Sequence, residues 1–304
     1  MPSIIVPARN HAQFTATCLG SILFSVSRLN LSCEFILVDD ASERSERIVD
    51  VFRDHRAKAV GHHCKIVRSN KHQHYSGVFS IGLNLATRDV IFFISNDMVT
   101  TSSFFEALLL VSSLSRDIGI VRGTSNYTDS HPEHQIAPPD RLKTYVDIDN
   151  FSRAQFAANA ASYVEDRVFS GDAILLKRAL VEKIGVLDLR FFGYFGDIDY
   201  GMRTQLAGFK MVCAKGAWLY HEGAGHLKGQ MQAQQVQYAE LHAKRMALVD
   251  AAYKEFRAKW HLDGPAHWEV HQSTDFIAKG LANADRVALK YDFPKSAEAD
   301  LEFY

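Results

Sequence analysis

Phe35-Ile36-Leu37-Val38-Asp39-Asp40 is a short apolar run that stops on two carboxylates. It is too brief for a helix and has no polar alternation, so it reads as a strand covered on both faces, with its polar tip at the carboxyl end. The same arrangement lies on either side of it. Ser3-Ile4-Ile5-Val6 runs into Pro7-Ala8-Arg9-Asn10, and Val90-Ile91-Phe92-Phe93-Ile94 runs into Ser95-Asn96-Asp97. Between the first two strands, Phe14, Cys18, Ile22 and Val26 recur every four residues with Leu19 and Leu23 beside them. That spacing predicts a helix, and Asn10 is a fitting N-cap for it. A polar helix over 42–52, a strand over 65–67 and a helix over 77–86 complete the pattern. Alternating strands and helices, with continuously apolar strands, predict an α/β fold built on a mostly parallel, Rossmann-like sheet flanked by helices.

Downstream the regularity lapses. After a strand at 118–121, residues 123–167 are rich in Asp, Asn, Ser, His and Pro. They read as an irregular insertion, since a loop of that length inside a compact domain is usually functional. A strand at 173–176 leads into a helix stopping near Gly185, another helix spans 196–207 with Gly208 at its end, and a last strand covers 209–213. Residues 230–260 are helical in pattern, and the final forty carry little. The expected organisation is therefore an α/β domain over 1–226, with 123–167 as a possible acceptor region, and a mainly helical C-terminal extension over 227–304.

The 304 residues carry 34 Lys and Arg against 35 Asp and Glu, a net charge of −1. That balance argues against nucleic acid as a partner. The opening residues lack the basic segment and long apolar run of a signal peptide, and no stretch approaches the roughly 18 apolar residues of a membrane span. Four scattered cysteines without CxxC spacing predict buried thiols and a cytoplasmic setting. No GxGxxG or GxxxxGK[ST] follows the first strand, so dinucleotide-binding and P-loop readings lose their warrant.

Ligands of parallel α/β sheets gather at the carboxyl ends of the strands. Three such ends are polar here: Pro7-Ala8-Arg9-Asn10, Asp39-Asp40 and Asn96-Asp97. Any single Asp there can be a cap or turn residue. Three consecutive polar tips point to a site without naming its reaction.

The order of motifs resembles the family 2 glycosyltransferases, which have the GT-A fold. Residues 3–10 are similar to that family's S-I-I-I-P-T-Y-N, residues 36–42 to its V-V-D-D-G-S, and Ser95-Asn96-Asp97 stands where it carries a metal motif. Gly171-Asp172 after Ser170, Glu182-Lys183-Ile184-Gly185, Leu187-Asp188, Arg190-Phe191-Phe192, Gly196-Asp197-Ile198-Asp199 with Arg203, Ala207-Gly208-Phe209-Lys210 and Tyr220-His221-Glu222-Gly223 follow its second half.

The resemblance implies transfer of a sugar from a nucleotide-sugar donor to an acceptor hydroxyl with inversion; UDP is the family's commonest carrier, with dTDP and GDP as the alternatives. By the same match Pro7, Ala8, Arg9, Asn10, Asp40, Asn96 and Asp97 would contact the donor nucleotide. Asp97 and His221 would hold Mn²⁺ or Mg²⁺, which neutralises the departing diphosphate. Asp197 would be the general base, and Gly171, Asp172 and Gly196 would border the donor sugar or acceptor. Bland alternatives stay open: His221 as a hydrogen-bonded loop residue, Asp197 as a helix cap. Asp199 and Arg203 are expected to pair on a helix surface. The histidines at 62, 63, 72 and 74 are expected to be solvated, while His131 and His134 could border an acceptor pocket and His226 a closing loop.

Departures from the family pattern matter. Asn96 replaces a second carboxylate, Gly196 replaces a Glu, and Val78-Phe79-Ser80-Ile81-Gly82 replaces A-R-N-x-G. No Q-x-x-R-W follows His226. This predicts a non-processive enzyme of polysaccharide or glycan synthesis, cytoplasmic or at the inner membrane face, acting on a glycan or lipid-linked saccharide with peripheral membrane contact at most. The competing reading is a catalytically silent GT-A domain that binds nucleotide or glycan.

Overall fold

The computed structural model describes residues 1–128, 131–169, 171–223, 238–263 and 275–304. Its centre is a sheet whose first four strands are β1 (Ser3–Ala8), β2 (Glu34–Asp40), β3 (His63–Ser69) and β4 (Val90–Ile94). They lie in the order β3-β2-β1-β4 and are parallel throughout. Their side chains alternate between two cores, as the period-two geometry of a strand demands. Ile4, Val6, Phe35, Leu37, Phe92 and Ile94 face the helix α1 (Ala12–Arg28) and the helix α4 (Ser102–Ser113). Ile5, Ile36, Val38, Ile91 and Phe93 face α3 (His74–Leu85) and α6 (Arg178–Ile184). Both faces being dry explains the unbroken apolar runs. The polar helix α2 (Ile48–Lys58) starts later than the 42–52 reading, because a 3₁₀ turn at Arg44–Glu46 occupies the approach.

Beyond β4 the sheet is mixed. The strand β8 (Ala173–Lys177) runs antiparallel to β4 and to β6 (Ile118–Ser125), and β6 is parallel to the long strand β9 (Lys210–His221). The two-residue strand β5 (Met98–Val99) pairs antiparallel with the end of β9, setting Met98 opposite His221. The stretch expected to be an irregular insertion contains a helix, α5 (Tyr145–Asn159), and a strand, β7 (Tyr163–Asp166), which pairs with β9. Thr144 and Asp147 form a reciprocal capping box at the start of α5. That signal lay in the sequence, hidden by the helix's weak amphipathic pattern.

The C-terminal region packs on the α/β body. The helix α8 (Tyr238–Trp260) and the helix α9 (Asp275–Leu281) bury Val249, Tyr253, Phe256, Trp260 and Phe276 against Phe191, Phe195 and Met202. The short helix α10 (Lys295–Glu298) leads to the strand β10 (Leu301–Phe303), which adds antiparallel to the outer edge of β3. Residues 230–237 of the expected helix, and His226, lie outside the described residues.

The helix α7 (Gly196–Leu206) carries Asp199 and Arg203, and the expected surface pair is a correction: both are fully buried. Arg203 Nε donates to Asp199 Oδ2 at 2.8 Å, and its Nη atoms donate to the carbonyls of Ile184, Val186 and Leu289. Asp199 Oδ1 takes Lys259 Nζ at 2.5 Å and Trp260 Nε1 at 3.0 Å. A buried charge must be paired, and here the pairing ties α8 to α7.

Among the described residues no helix is long and apolar enough to cross a membrane. The cysteines are free thiols; Cys18, Cys33 and Cys213 are buried and Cys64 is half-buried.

Candidate active site

The polar strand tips meet at the carboxyl edge of β1, β2 and β4. The loop after β1 is stapled to the loop after β2: Asn10 N donates to Ser42 Oγ at 2.8 Å, Glu43 N donates to Asn10 Oδ1 at 2.8 Å, and Arg9 Nη1 donates to the Asp40 carbonyl at 3.1 Å. Asn10, His11, Ala41, His74, Phe192 and Phe195 all have positive φ, six of the ten such non-glycine residues described. Strained backbone concentrated around one edge is a mark of a functional region.

Asp40 is nearly fully buried, and its carboxylate is already engaged. Gln73 N donates to Oδ1 at 2.6 Å and His72 Nδ1 lies 2.6 Å from Oδ2. His72 in turn packs against the half-buried His74, ring centroids 3.9 Å apart. Neither behaves as the simply solvated residue expected from its polar loop: partnership with Asp40 from β2 orders them, which no local pattern could reveal. His62 likewise has a partner, its Nδ1 accepting from Cys33 N at 3.1 Å, while His63 is exposed.

Asp97 and His221 come together because β5 and β9 pair. His221 Nε2 lies 3.3 Å from Asp97 Oδ2, and Glu222 N donates to the Asp97 carbonyl at 3.1 Å. The imidazole is oriented from behind: its Nδ1 lies 3.0 Å from the Tyr127 carbonyl, and Asn126 exchanges hydrogen bonds with the His221 main chain at 2.7 and 2.9 Å. In the neutral imidazole, proton donation from Nδ1 to the Tyr127 carbonyl leaves the Nε2 lone pair for a ligand, so a cation bound there would displace the Nε2 proton. Burial would lower the His221 pKa, but the hydrogen bond and charge of Asp97, with the charge of Asp172, carry it up to about 9. A site that raises an imidazole's affinity for a proton is electronegative, so this oxygen and nitrogen pair fits a divalent ion. Asn96 does not join it: its Nδ2 donates to Thr15 Oγ1 on α1 at 2.9 Å.

The charge of Asp172 acts on both His221 and Asp197. Ser95 N donates to the Asp172 carbonyl at 2.8 Å, holding the start of β8 beside the loop that carries Asp97. Asp197 sits in the first turn of α7, where Ile198 N donates to its Oδ1 at 2.8 Å. The helix N-terminus favours the ionised form, yet desolvation dominates. Burial, with the repulsion of Asp172 added, lifts the carboxyl up to about 6 against the Ile198 hydrogen bond.

Gly171 and Gly196 make room for α3. A Cβ on Gly171 would lie 1.6 Å from Tyr75 Oη, and one on Gly196 would lie 2.3 Å from Ser76 Oγ. Any side chain at 196 would therefore require the Ser76 hydroxyl to turn away. Tyr75 Oη and Ser76 Oγ are buried without a hydrogen-bond partner among the described residues. The sequence reading missed Tyr75, Asn126 and Tyr127, which carry no motif of their own.

His131, Glu133 and His134 also lie within reach of a single ion. Lys215 Nζ lies 3.2 Å from His134 Nδ1 and Asp166 Oδ1 lies 2.7 Å from Nε2. An ammonium beside Nδ1 makes that nitrogen the acceptor, so Nε2 carries the proton and His134 is a poor ligand.

A family model described as Glycosyl transferase family 2 matches residues 3–185, more than half of the chain. The chain belongs to that family. The match covers Asp40, Asp97, Gly171 and Asp172 and ends before Asp197 and His221. Among solved structures, this family 2 chain is similar to the mannosyltransferase PcManGT from Pyrobaculum calidifontis in complex with GDP-Man and Mn²⁺, at 14% identity and TM-score 0.52 over 93% of this chain and 86% of that one. It is similar to S. aureus TarS 1-349 at 12% identity and TM-score 0.50, over 94% and 83%. It is also similar to GalNAc-T7 with UDP, GalNAc and Mn²⁺ at 13% identity and TM-score 0.57, over 95% of this chain but only 55% of that one. At such identities the likeness shows the shared GT-A fold. No curated protein sequence matches the chain.

Proposed function

We propose that this family 2 chain is an inverting, non-processive glycosyltransferase that moves a sugar from a nucleoside diphosphate donor to the hydroxyl of a glycan or lipid-linked saccharide. The observation that carries the reading is the juxtaposition of the Asp97–His221 pair with Asp197, Asp172 acting electrostatically on both. Two of the similar solved structures hold Mn²⁺ with GDP-Man or with UDP and GalNAc. UDP is the first candidate for the donor's nucleotide and GDP the second.

The end of β1 and the loop after it, Pro7, Ala8, Arg9 and Asn10, lie with Asp40 at the edge where the nucleoside would bind, and Asp97 would face the phosphates, with the Asn96 amide turned instead to Thr15. Asp97 and His221 would hold Mn²⁺ or Mg²⁺, which when bound neutralises the charge of the departing diphosphate. A carboxylate with a pKa of about 6 is a competent base near neutral pH. Asp197 takes the proton of the acceptor hydroxyl, the acceptor oxygen bonds to the anomeric carbon, and the bond from that carbon to the diphosphate breaks on the opposite face. Gly171, Asp172 and Gly196 border the sugar and acceptor. A role in polysaccharide or glycan synthesis at the inner membrane face accords with this chemistry.

A second reading, a domain that binds donor without transferring, draws on the diversion of the Asn96 amide to Thr15. The Asp197→Asn variant separates them. A transferase loses release of UDP from a UDP-sugar panel while still binding UDP. Wild-type protein that binds UDP but releases none from any donor, with every acceptor class offered, supports the silent domain.

A further inference from the structure

Tyr75 lies in the first turn of α3, and its ring packs inward against Phe79 and Phe93 at centroid distances of 5.7 and 5.9 Å. A phenylalanine would keep both contacts. The hydroxyl serves neither the core nor a hydrogen bond, since Oη is buried without a partner among the described residues. Such groups are rare in folded proteins because they forfeit their bonds to water, so each calls for a specific role. The next residue repeats the pattern: Ser76 Oγ is buried and unpartnered beside Gly196.

We propose that the Tyr75 hydroxyl donates a hydrogen bond to a hydroxyl of the transferred sugar and so helps select that sugar, an inference that rests on the transferase reading above. Its position identifies the partner. Oη stands about a bond length from the point that a Cβ on Gly171 would occupy, so the phenol supplies the side-chain chemistry that position 171 lacks. Gly171 adjoins Asp172, whose charge reaches both His221 and Asp197. In a displacement with inversion, the sugar is the part of the donor that lies between the metal-held diphosphate and the base. Burial first, then the charges of Asp197 and Asp172, hold the phenol well above its ordinary pKa range. Oη therefore keeps its proton and remains a neutral donor, which suits a sugar hydroxyl as acceptor.

The test is titration calorimetry with Mn²⁺ on the full chain and on Tyr75→Phe, comparing UDP and GDP with UDP-glucose, UDP-N-acetylgalactosamine and GDP-mannose. The sugar nucleotide that binds the wild type most tightly should lose at least about tenfold in affinity in Tyr75→Phe. The matching nucleotide without its sugar should bind both proteins equally, and the melting temperature should not fall. A monodeoxy analogue lacking the hydroxyl that Tyr75 reads should bind wild type and variant alike. Full sugar-nucleotide affinity in Tyr75→Phe, an equal loss for the bare nucleotide, or a loss that persists with every monodeoxy analogue would overturn the inference and leave the transferase reading standing. Wild-type protein that binds none of these ligands would overturn both.

Discussion

His221 Nε2 stands 3.3 Å from Asp97 Oδ2, while its opposite ring nitrogen is held 3.0 Å from the Tyr127 carbonyl. Two residues 124 positions apart are aligned by one short antiparallel pairing, Met98 against His221. Asn126 fixes the main chain of that pairing from both sides. Outer-shell partners of this kind are worth about 10–100-fold in metal affinity. Asn126→Ala should therefore weaken Mn²⁺ binding at least about tenfold in calorimetry, with little change in melting temperature.

Asp197 links activity to pH. Its carboxyl is lifted to about 6, so the base is ionised only above that value. The kcat/KM for transfer should rise through an apparent pKa of about 6 as pH increases. Asp197→Asn should remove the limb together with most of the activity.

The same residue should trade function against stability. A carboxyl whose folded pKa exceeds its unfolded value destabilises the fold once ionised. The penalty is absent below the unfolded pKa of about 4 and fully present above the folded one. At pH 7, Asp197→Asn should stabilise the chain by roughly 1–2 kcal/mol, a figure discounted for the residue's partial exposure. The gain should disappear below about pH 4, and chemical denaturation at the two pH values measures it.

Gly171→Ala should cripple donor turnover, because its Cβ would stand 1.6 Å from Tyr75 Oη. Adding Tyr75→Phe removes that hydroxyl and should restore part of the loss. The restoration stays partial, since Tyr75 Cζ is 2.9 Å from the same point.

Lys259→Met should cost about 3 kcal/mol by removing the buried cation that Asp188 and Asp199 share, leaving Asp199 only Arg203 and Asp188 only the exposed Arg190. Differential scanning calorimetry should show the lower midpoint. Nucleotide affinity should fall little, since α7 keeps its own Arg203 pair.

The parallel half of the fold was legible because strands buried on both faces must be apolar throughout, as Ile36 to Val38 and Ile91 to Ile94 are. The mixed half was less so. β7 and β10 are short and gain their order from the neighbouring strands β9 and β3 rather than from their own composition. At the site, Asp40, Asp97, Asp197 and His221 could be picked out by motif. The partners that orient them, Gln73, His72, Asn126 and Tyr127, could not, because tertiary contact alone selects them. Asp199 shows the opposite failure: i,i+4 spacing predicts its pairing with Arg203 but not its burial beneath Lys259 and Trp260.

The most direct test of the proposed transferase site is titration calorimetry of UDP and GDP, with and without Mn²⁺, on the wild-type chain and on Asp97→Asn. The account predicts that one nucleotide binds the wild type, that Mn²⁺ tightens it by at least about tenfold, and that Asp97→Asn abolishes the tightening. Binding of neither nucleotide, or a Mn²⁺ effect that survives Asp97→Asn, would contradict it.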